Sequence, residues 1–432
     1  MDKRRVLVSA YACYPPTAAG ADAIDLQLGG GESQLGWNLA RQIGRFHEAV
    51  VLTDERNRHG IDKAIRREPV PGVEFVYLRV PVRWERFWHN TFVKHLYYLV
   101  WQRRALTAAR RLHRERPFDL VHHLTYANDW IPSFIGARLP VPFLWGPFGG
   151  GQRYPKGFQR EFTFKARLGE AGRLSLQWLG RHALPARRRA LRRAGALLVC
   201  NRETVGVIPP RFRAKIEFFP VTAMDAEGMP PPPGPPPPGD GTFRILTASR
   251  LVLVKRVDFA IRALARMRAE SPGLRAVLEV VGEGPERPRL ERLAADLGLG
   301  DAVRFAGWTT RDGVLARMRA SDAFVFPSLR EGGGFVLVEA MASGRPVVCL
   351  DAAGPGFLVE DGWGIKVEPR DPEQVVVDLA AALGRLAGDA ALRERLGRAG
   401  RARVEEALVL DRLGERLRDI YARVLAGGRG RP

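Results

Sequence analysis

Two runs of proline divide the chain near its middle. Residues 230–233 and 235–238 are all proline, and Gly234 separates the two runs. Because proline has no backbone N–H and a fixed φ, neither a helix nor a central strand passes through such a stretch. Proline-rich segments instead form stiff, extended linkers. We therefore predict a linker over residues 228–241, with one domain before it and another after it.

The half before the linker begins with the pattern of a doubly wound α/β domain. A short apolar strand is predicted at residues 5–11, a glycine-rich loop opens a helix at residues 29–43, and another strand follows at residues 47–53. Ligands of such domains bind where strands end, so Gly30 and Gly31 are candidates for contact with a phosphate or a sugar. The alternative is a turn that only connects two elements. We predict Rossmann-like domains over residues 1–227 and 242–409.

The composition limits the classes of partner. Lys and Arg total 68 against 47 Asp and Glu, which gives a net charge of +21. An excess of this kind fits nucleic acid, an anionic lipid surface or an acidic ligand. A genome with GC-rich codons would also produce it, because arginine, alanine, glycine and proline are abundant together. No nucleic-acid-binding module is recognisable, so nucleic acid is an unlikely partner.

Other classes are disfavoured by what the sequence lacks. No apolar run reaches the ~18 residues of a membrane span, and the apolar part of the N-terminus is too short for a signal peptide. We therefore expect a cytoplasmic protein. The cysteines, Cys13, Cys200 and Cys349, are far apart and form no zinc spacing. Asp22 and Asp25 are isolated, so no metal and no other cofactor is expected.

Two segments combine basic and aromatic residues. Residues 83–116 interleave arginines with seven aromatic residues, Trp84, Phe87, Trp88, Phe92, Tyr97, Tyr98 and Trp101. Residues 156–193 are basic and helix-prone. Such segments suit the surface of an anionic membrane, which predicts a peripheral protein on the inner membrane face. The alternative is a set of helices with aromatic residues in the core and arginines in solvent.

The strongest chemical pattern lies at residues 324–344. An apolar strand is followed by three glycines between Glu331 and Glu339, and then by a helix. Glycine permits close approach of the backbone, and the first N–H groups of a helix bind phosphate. The candidate donors are the amides of Gly333, Gly334, Phe335 and Val336. Carboxylates on either side accept hydrogen bonds from hydroxyls, so the pattern fits a nucleotide sugar.

This stretch resembles the paired-glutamate signature of retaining glycosyltransferases of family four, as do the residues around it, 327–332 and 339–344. Residues 121–126 and 145–152 resemble a subgroup linked to cell-wall or exopolysaccharide synthesis. The resemblance implies the GT-B fold, which consists of two Rossmann-like doubly wound domains facing a central cleft. It also implies that residues 410–432 cross back as a helix to the first domain.

The same resemblance assigns roles to individual residues of the second domain. Arg250 and Lys255 would neutralise the diphosphate that leaves, although the family's glycine after the lysine is Arg256 here. Glu339 would bind ribose hydroxyls, and Glu331 would hold the sugar and phosphate. Gly282 and Trp308 would lie beside the donor.

On the first domain, a histidine that follows the fourth strand would contact the transferred sugar. His122 is the match that we prefer, and His123 is the alternative. The implied function is metal-independent transfer, with retention of configuration, from a UDP or GDP sugar to a glycan, lipid-linked or small-molecule acceptor. An inactive GT-B scaffold, a nucleic-acid-binding protein and a sugar-nucleotide epimerase are the competing hypotheses.

Overall fold

The structure is a computed structural model that describes residues 3–16, 31–81, 91–126, 128–161, 164–231 and 241–428. The chain forms two compact units. The first unit comprises Met1–Gly151, Gly169–Val221 and Leu410–Pro432, and the second comprises Gln152–Leu168 and Thr222–Val409. Several predictions lie outside the described residues, and they concern Asp22, Asp25, Gly30, residues 83–90 and the centre of the linker, residues 232–240.

The strands form one parallel sheet in each unit. The first sheet has the order β3-β2-β1-β4-β5-β6-β7, and the second has the order β10-β9-β8-β11-β12-β13. The strands are β1 Arg5–Ala10, β2 Glu48–Asp54, β3 Val73–Leu78, β4 Leu120–Thr125, β5 Phe143–Phe148, β6 Ala194–Val199, β7 Ile216–Phe218, β8 Phe243–Ala248, β9 Ala276–Val281, β10 Val303–Gly307, β11 Ala323–Phe326, β12 Val347–Leu350 and β13 Gly364–Val367.

Helices follow most of these strands, as a parallel sheet requires. They are α1 Gly31–Phe46, α2 Arg58–Arg67, α3 Thr91–Glu115, α4 Phe134–Arg138, α5 Phe164–Ala183, α6 Pro185–Arg193, α7 Arg202–Val207, α8 Val257–Glu270, α9 Arg287–Asp296, α10 Arg311–Ala320, α11 Phe335–Ala342, α12 Ala353–Leu358, α13 Pro372–Gly388, α14 Ala390–Ala407 and α15 Leu410–Gly428.

Both sheets are buried between helices, and their sequences show it. Every residue of β4 and β5 is buried, and so is every residue of β11 and β12. Strands of parallel sheets are covered on both faces and therefore form continuous apolar runs. Two doubly wound α/β units with parallel sheets confirm the predicted fold class.

The last helix, α15, packs within the first unit. Its buried residues recur at helical spacing, and they are Leu410, Leu413, Leu417, Ile420, Tyr421 and Val424. This helix packs against α1 and against strands β5 and β6 of the sheet. The apolar stripe explains why the end of the chain is part of the first unit, although it follows the second unit in sequence.

Residues 152–168 pack with the second unit, although they come from the N-terminal half of the chain. Phe158 is fully buried in the second unit's core, and its ring centroid lies 5.9 Å from that of Phe259. Tyr154 lies under the guanidinium of Arg330, 5.0 Å from it. The segment therefore lies on the face of the second unit that carries the glycine-rich loop.

The aromatic residues of α3 belong to the core of the first unit. Tyr97, Tyr98 and Trp101 are all buried, and they contact the ring of Tyr11 edge-on. For these three residues the core interpretation is confirmed. No helix in the described part of the chain is both long enough and apolar enough to cross a membrane.

Candidate functional site

The central stretch forms the predicted strand, loop and helix. β11 ends at Phe326, and α11 begins at Phe335 after the glycine loop. Gly334 has φ of +82°, and a Cβ there would lie 3.0 Å from the Leu337 side chain. A left-handed residue at this point turns the chain into the helix, and glycine does so without the steric cost of a Cβ. The first turn of a helix leaves its amide N–H groups without carbonyl partners, so α11 offers donors to a phosphate.

Glu339 lies one turn inside α11 and accepts a hydrogen bond from Arg311. The distance from the Arg311 Nε to the Glu339 Oε1 is 2.7 Å, and the carboxylate is largely buried. Burial raises the pKa of Glu339, and the bond to Arg311 opposes that shift. Sequence analysis missed Arg311, because it lies 28 residues away at the start of α10, outside the recognised pattern.

Glu331 is bound to the ammonium group of Lys255. The two side chains form an ion pair in which both are largely shielded from solvent. The carbonyl of Glu331 also accepts a hydrogen bond from the Gly354 amide at 2.9 Å. The structure therefore brings together two of the predicted residues that lie 76 positions apart in sequence.

Arg250 follows β8 and its side chain is exposed. Within the described part of the chain it forms no ion pair. Its backbone neighbours are fixed, since Ser249 N–H donates to Val281 at 3.0 Å and Leu251 N–H donates to Glu283 at 2.8 Å. A cation on a rigid strand end, without a carboxylate partner, is suited to bind an anion.

Arg256 shows how this chain replaces the glycine expected after Lys255. Its φ is +48°, in the left-handed region that glycine adopts most easily. The guanidinium donates to both carboxylate oxygens of Asp258, at 3.0 and 2.8 Å, and it lies 3.7 Å from the ring centroid of Phe259. It also pairs with Glu161. These contacts stabilise the left-handed turn next to Lys255.

Gly282 and Trp308 lie on adjoining strand ends. A Cβ at Gly282 would lie 1.9 Å from the Ser249 carbonyl oxygen, so only glycine fits there. The Gly282 amide donates to the Gly307 carbonyl at 2.8 Å, which joins the ends of β9 and β10. Trp308 follows directly and is 68% exposed. An exposed indole at the edge of a parallel sheet presents a flat face to which a base or a sugar can bind.

His122 is enclosed within the first unit. Its Nε2 lies 2.5 Å from the Gly146 carbonyl oxygen and its Nδ1 lies 2.8 Å from the Tyr421 hydroxyl. Because a carbonyl only accepts, Nε2 carries the proton and Nδ1 accepts from Tyr421. Burial lowers the pKa of His122 to about 4. The ring is thus neutral at pH 7, and its predicted contact with a sugar stays a prediction.

His123 is also buried, and its Nε2 lies 3.0 Å from the Tyr98 hydroxyl. The ring of Tyr98 in turn lies 4.3 Å from that of Tyr126, which follows β4. Gly31 is the first residue of α1, at the same carboxyl edge of the sheet. His122 and His123 are thus the third and fourth residues of β4 and do not follow the strand, as the resemblance had led us to expect. In the second unit, by contrast, the predicted residues contact one another across loops, as Lys255 does Glu331.

No group of three or more metal-ligating side chains occurs among the described residues. All three cysteines are free and buried. Burial raises the pKa of the Cys200 thiol to about 12, so this sulfur is a poor nucleophile and a poor metal ligand at neutral pH.

Part of the chain matches a known family. Residues 235–403 match the family described as glycosyl transferases group 1. Over 192 residues the chain is 36% identical to D-inositol 3-phosphate glycosyltransferase of Streptomyces bingchenggensis. The matched region makes up 43% of this chain and 41% of the relative. Over 165 residues it is 39% identical to the lipopolysaccharide core biosynthesis glycosyltransferase LpsD of Rhizobium meliloti. This matched region makes up 37% of this chain and 45% of the relative. The chain thus spans less than half the length of these two relatives.

Solved structures match almost the whole chain. A glycosyltransferase from Rickettsia africae has a TM-score of 0.60 at 14% identity, covering 98% of this chain and 99% of that one. Anabaena HepE, solved with UDP-glucose, has a TM-score of 0.57 at 16% identity, covering 97% of this chain and 99% of that one. At these identities the similarity establishes the fold. The chain therefore has the GT-B fold of these glycosyltransferases, and its second unit contains the segment that matches the group 1 glycosyl transferase family.

Proposed function

We propose that the protein is a glycosyltransferase that uses a nucleotide-diphosphate sugar. The observation that carries this proposal is the group of loops on the second unit. Arg250 forms no ion pair with a described residue, and Lys255 is paired with Glu331 next to the left-handed turn at Arg256. The first amides of helix α11 follow the glycine loop. All of these lie within the region that matches the family.

The diphosphate is the part of the donor that these groups suit best. In the proposed reaction, Arg250 and Lys255 stabilise the negative charge that develops as the nucleotide diphosphate leaves. Fixed cations stabilise such a charge without reorganising during the reaction. The amides of Gly333, Gly334, Phe335 and Val336 bind phosphate or sugar oxygens. We further propose that these cations make a divalent metal unnecessary, which a comparison of rates with and without EDTA tests.

The hydroxyl groups of the donor are assigned to the two carboxylates. Glu339, oriented by Arg311, accepts hydrogen bonds from the ribose, and Glu331 holds the sugar together with Lys255. The indole of Trp308 lies beside the base. We propose UDP rather than GDP as the nucleotide, because the similar Anabaena HepE was solved with UDP-glucose. Transfer with retention of configuration is proposed from the family resemblance.

The acceptor is proposed to bind the first unit. By their names, the two relatives given above are a D-inositol 3-phosphate glycosyltransferase and a glycosyltransferase of lipopolysaccharide core biosynthesis. A phosphorylated cyclitol, a glycan or a lipid-linked sugar is therefore the class of acceptor that we propose, with a role in cell-envelope polysaccharide synthesis. Peripheral association with an anionic membrane is part of the same proposal.

Calorimetry with UDP, GDP, ADP and CMP tests the donor site first. We expect UDP to bind most tightly, and Arg250→Ala to weaken that binding roughly tenfold to a hundredfold, the effect of one charge-assisted contact to phosphate. The matched control is Arg268→Ala, an exposed arginine of α8 in the same unit that forms no ion pair with any residue the structure describes. It should leave the affinity unchanged.

Two outcomes would contradict the proposal. Equal loss in both variants would mean that charge in general, rather than Arg250, attracts the nucleotide. If no nucleotide binds the folded protein, an inactive scaffold becomes the better description of the chain.

A further inference from the structure

The first unit contains a second cluster of cations, formed by residues that have no role in the proposed donor site. A cavity of about 270 Å³ lies between the end of α5, helix α6 and the turn at residues 206–213. Six basic side chains line it, and none of its lining residues is acidic. We call this cavity the basic pocket, and its basic residues are Arg181, His182, Arg187, Arg188, Arg211 and Arg213.

The charge of the pocket is not balanced from within. Arg181 pairs with Asp129 through two of its three guanidinium nitrogens, Nε and Nη2. Arg187 is only 5% exposed, yet its bonds go to backbone carbonyls, of Asp129, Arg181 and Val207. Burial lowers the pKa of Arg187, the charge of Asp129 opposes that shift, and the neighbouring charge of Arg181 adds to it. Two largely buried guanidinium groups thus have one carboxylate near them, which is bonded to Arg181 alone. A buried charge that is not fully paired is costly.

The remaining arginines add charge at the mouth of the pocket. Arg188, Arg211 and Arg213 are exposed, and none of them forms an ion pair with a described residue. Arg213 donates to the Ile208 carbonyl and Arg211 lies over the Phe212 ring, so both stems are positioned. Guanidinium groups converging on one cavity are the arrangement that binds phosphate oxygens.

Three exposed apolar side chains lie within four residues of the pocket residue His182 in sequence, and we call them the apolar patch. Trp178, Leu179 and Leu184 are 61%, 52% and 40% exposed. His182 joins the patch to the pocket, because it lines the cavity, stacks on Trp178 at 4.9 Å and donates from Nδ1 to the Trp178 carbonyl at 2.8 Å. Exposed tryptophan and leucine beside arginine are typical of surfaces that enter the headgroup region of a bilayer.

We propose that the basic pocket binds the phosphate of an anionic lipid headgroup, while Trp178, Leu179 and Leu184 enter the boundary between headgroups and acyl chains. A soluble phosphate would use the same arginines but has no need of an exposed apolar patch. This site rests on the peripheral membrane association proposed above, and it assigns that association to named residues. It does not depend on the identity of the donor.

Vesicle co-sedimentation of the full chain provides the test. Phosphatidylcholine vesicles containing phosphatidylglycerol should bind the protein, pure phosphatidylcholine vesicles should not, and added salt should weaken binding. Arg188→Glu with Arg211→Glu should reduce binding at least about twenty-five-fold, since each basic residue near an anionic surface contributes roughly a factor of five. The matched control is Arg268→Glu with Arg319→Glu, two exposed arginines of the second unit, with the same change of charge.

The variant Trp178→Ala with Leu179→Ser separates a lipid from a soluble anion. It should weaken binding to the vesicles and leave the binding of inorganic phosphate, measured by calorimetry, unchanged. UDP binding measured on every variant shows that the protein is folded and that the donor site is intact. Failure of UDP binding in the unaltered protein would count against the proposed transferase and leave the vesicle result valid.

Three results would overturn the proposal. Equal loss of vesicle binding in both arginine pairs would mean that net charge, and not the pocket, attracts the membrane. Binding of inorganic phosphate without binding of vesicles would make the ligand soluble. Binding of neither would show that the pocket is not an anion site.

Discussion

At the scale of single residues, Arg256 stands where the family pattern has glycine, and its side-chain contacts compensate for the missing glycine. The left-handed turn after Lys255 is kept without glycine, because the side chain is held by Asp258 and by the ring of Phe259. The residue that departs from the family pattern could be identified from sequence. Its partners could not, because Glu161 is 95 positions away.

Arg256→Ala should lower the free energy of unfolding by about 3 kcal/mol, because it leaves the buried Asp258 carboxylate without its main partner. Arg256→Gly should cost about 1 kcal/mol less, because glycine adopts a positive φ without strain. Urea denaturation measures both. Adding Asp258→Ala to either variant should recover stability, and a double variant that is less stable than the single one would contradict this account.

Glu339 gives a prediction about pH. Its pKa is raised by burial, so its carboxylate takes up a proton at a pH above the usual range for glutamate, and a protonated carboxyl is a weaker acceptor for ribose hydroxyls. UDP affinity, measured by calorimetry, should therefore fall as the pH is lowered through that raised pKa. Arg311 opposes the shift, so Arg311→Ala should move the fall to higher pH.

The control for this prediction is Arg319→Ala, which lies on the same helix as Arg311 and is likewise exposed but has no bond to Glu339. It should leave the pH dependence where it is in the unaltered protein. A fall at the same pH in the Arg311 and Arg319 variants would mean that another group titrates. Glu339→Gln should remove this part of the pH dependence altogether.

At the scale of elements, the strand, loop and helix around Glu331 could be predicted from sequence because their signals are local. Apolar runs mark the buried strand, and three glycines mark the loop. The bond from Arg311 to Glu339 and the packing of residues 152–168 on the second unit could not be predicted, because each joins parts of the chain that no local pattern connects.

The start of α11 gives a matched pair of glycines. Gly334→Ala should lower stability by about 1–2 kcal/mol and weaken UDP binding, because alanine resists the positive φ of Gly334 and shifts the first amides of the helix. Gly332→Ala, in the same loop, has open space around its Cβ and should change neither property much. If both variants bind UDP equally well, the amides at this helix start do not hold the donor.

At the scale of the whole molecule, the proline runs and the repeated pattern predict two α/β units, and the structure confirms that class. Sequence order alone does not show which segments complete each unit. The first unit is closed by α15, whose side chains at helical spacing pack against α1 and β6. The net charge is +21, and part of the excess of basic residues lines the basic pocket of the first unit.

The contribution of α15 can be measured with two leucines of that helix. Leu417 is 1% exposed, whereas Leu425 lies partly in solvent. Leu417→Asp puts a charge into the apolar contact with α1 and should lower the free energy of unfolding by at least about 4 kcal/mol. Leu425→Asp should cost about 1 kcal/mol or less. Equal effects of the two substitutions on urea denaturation would mean that the end of the chain is not needed to hold the first unit together.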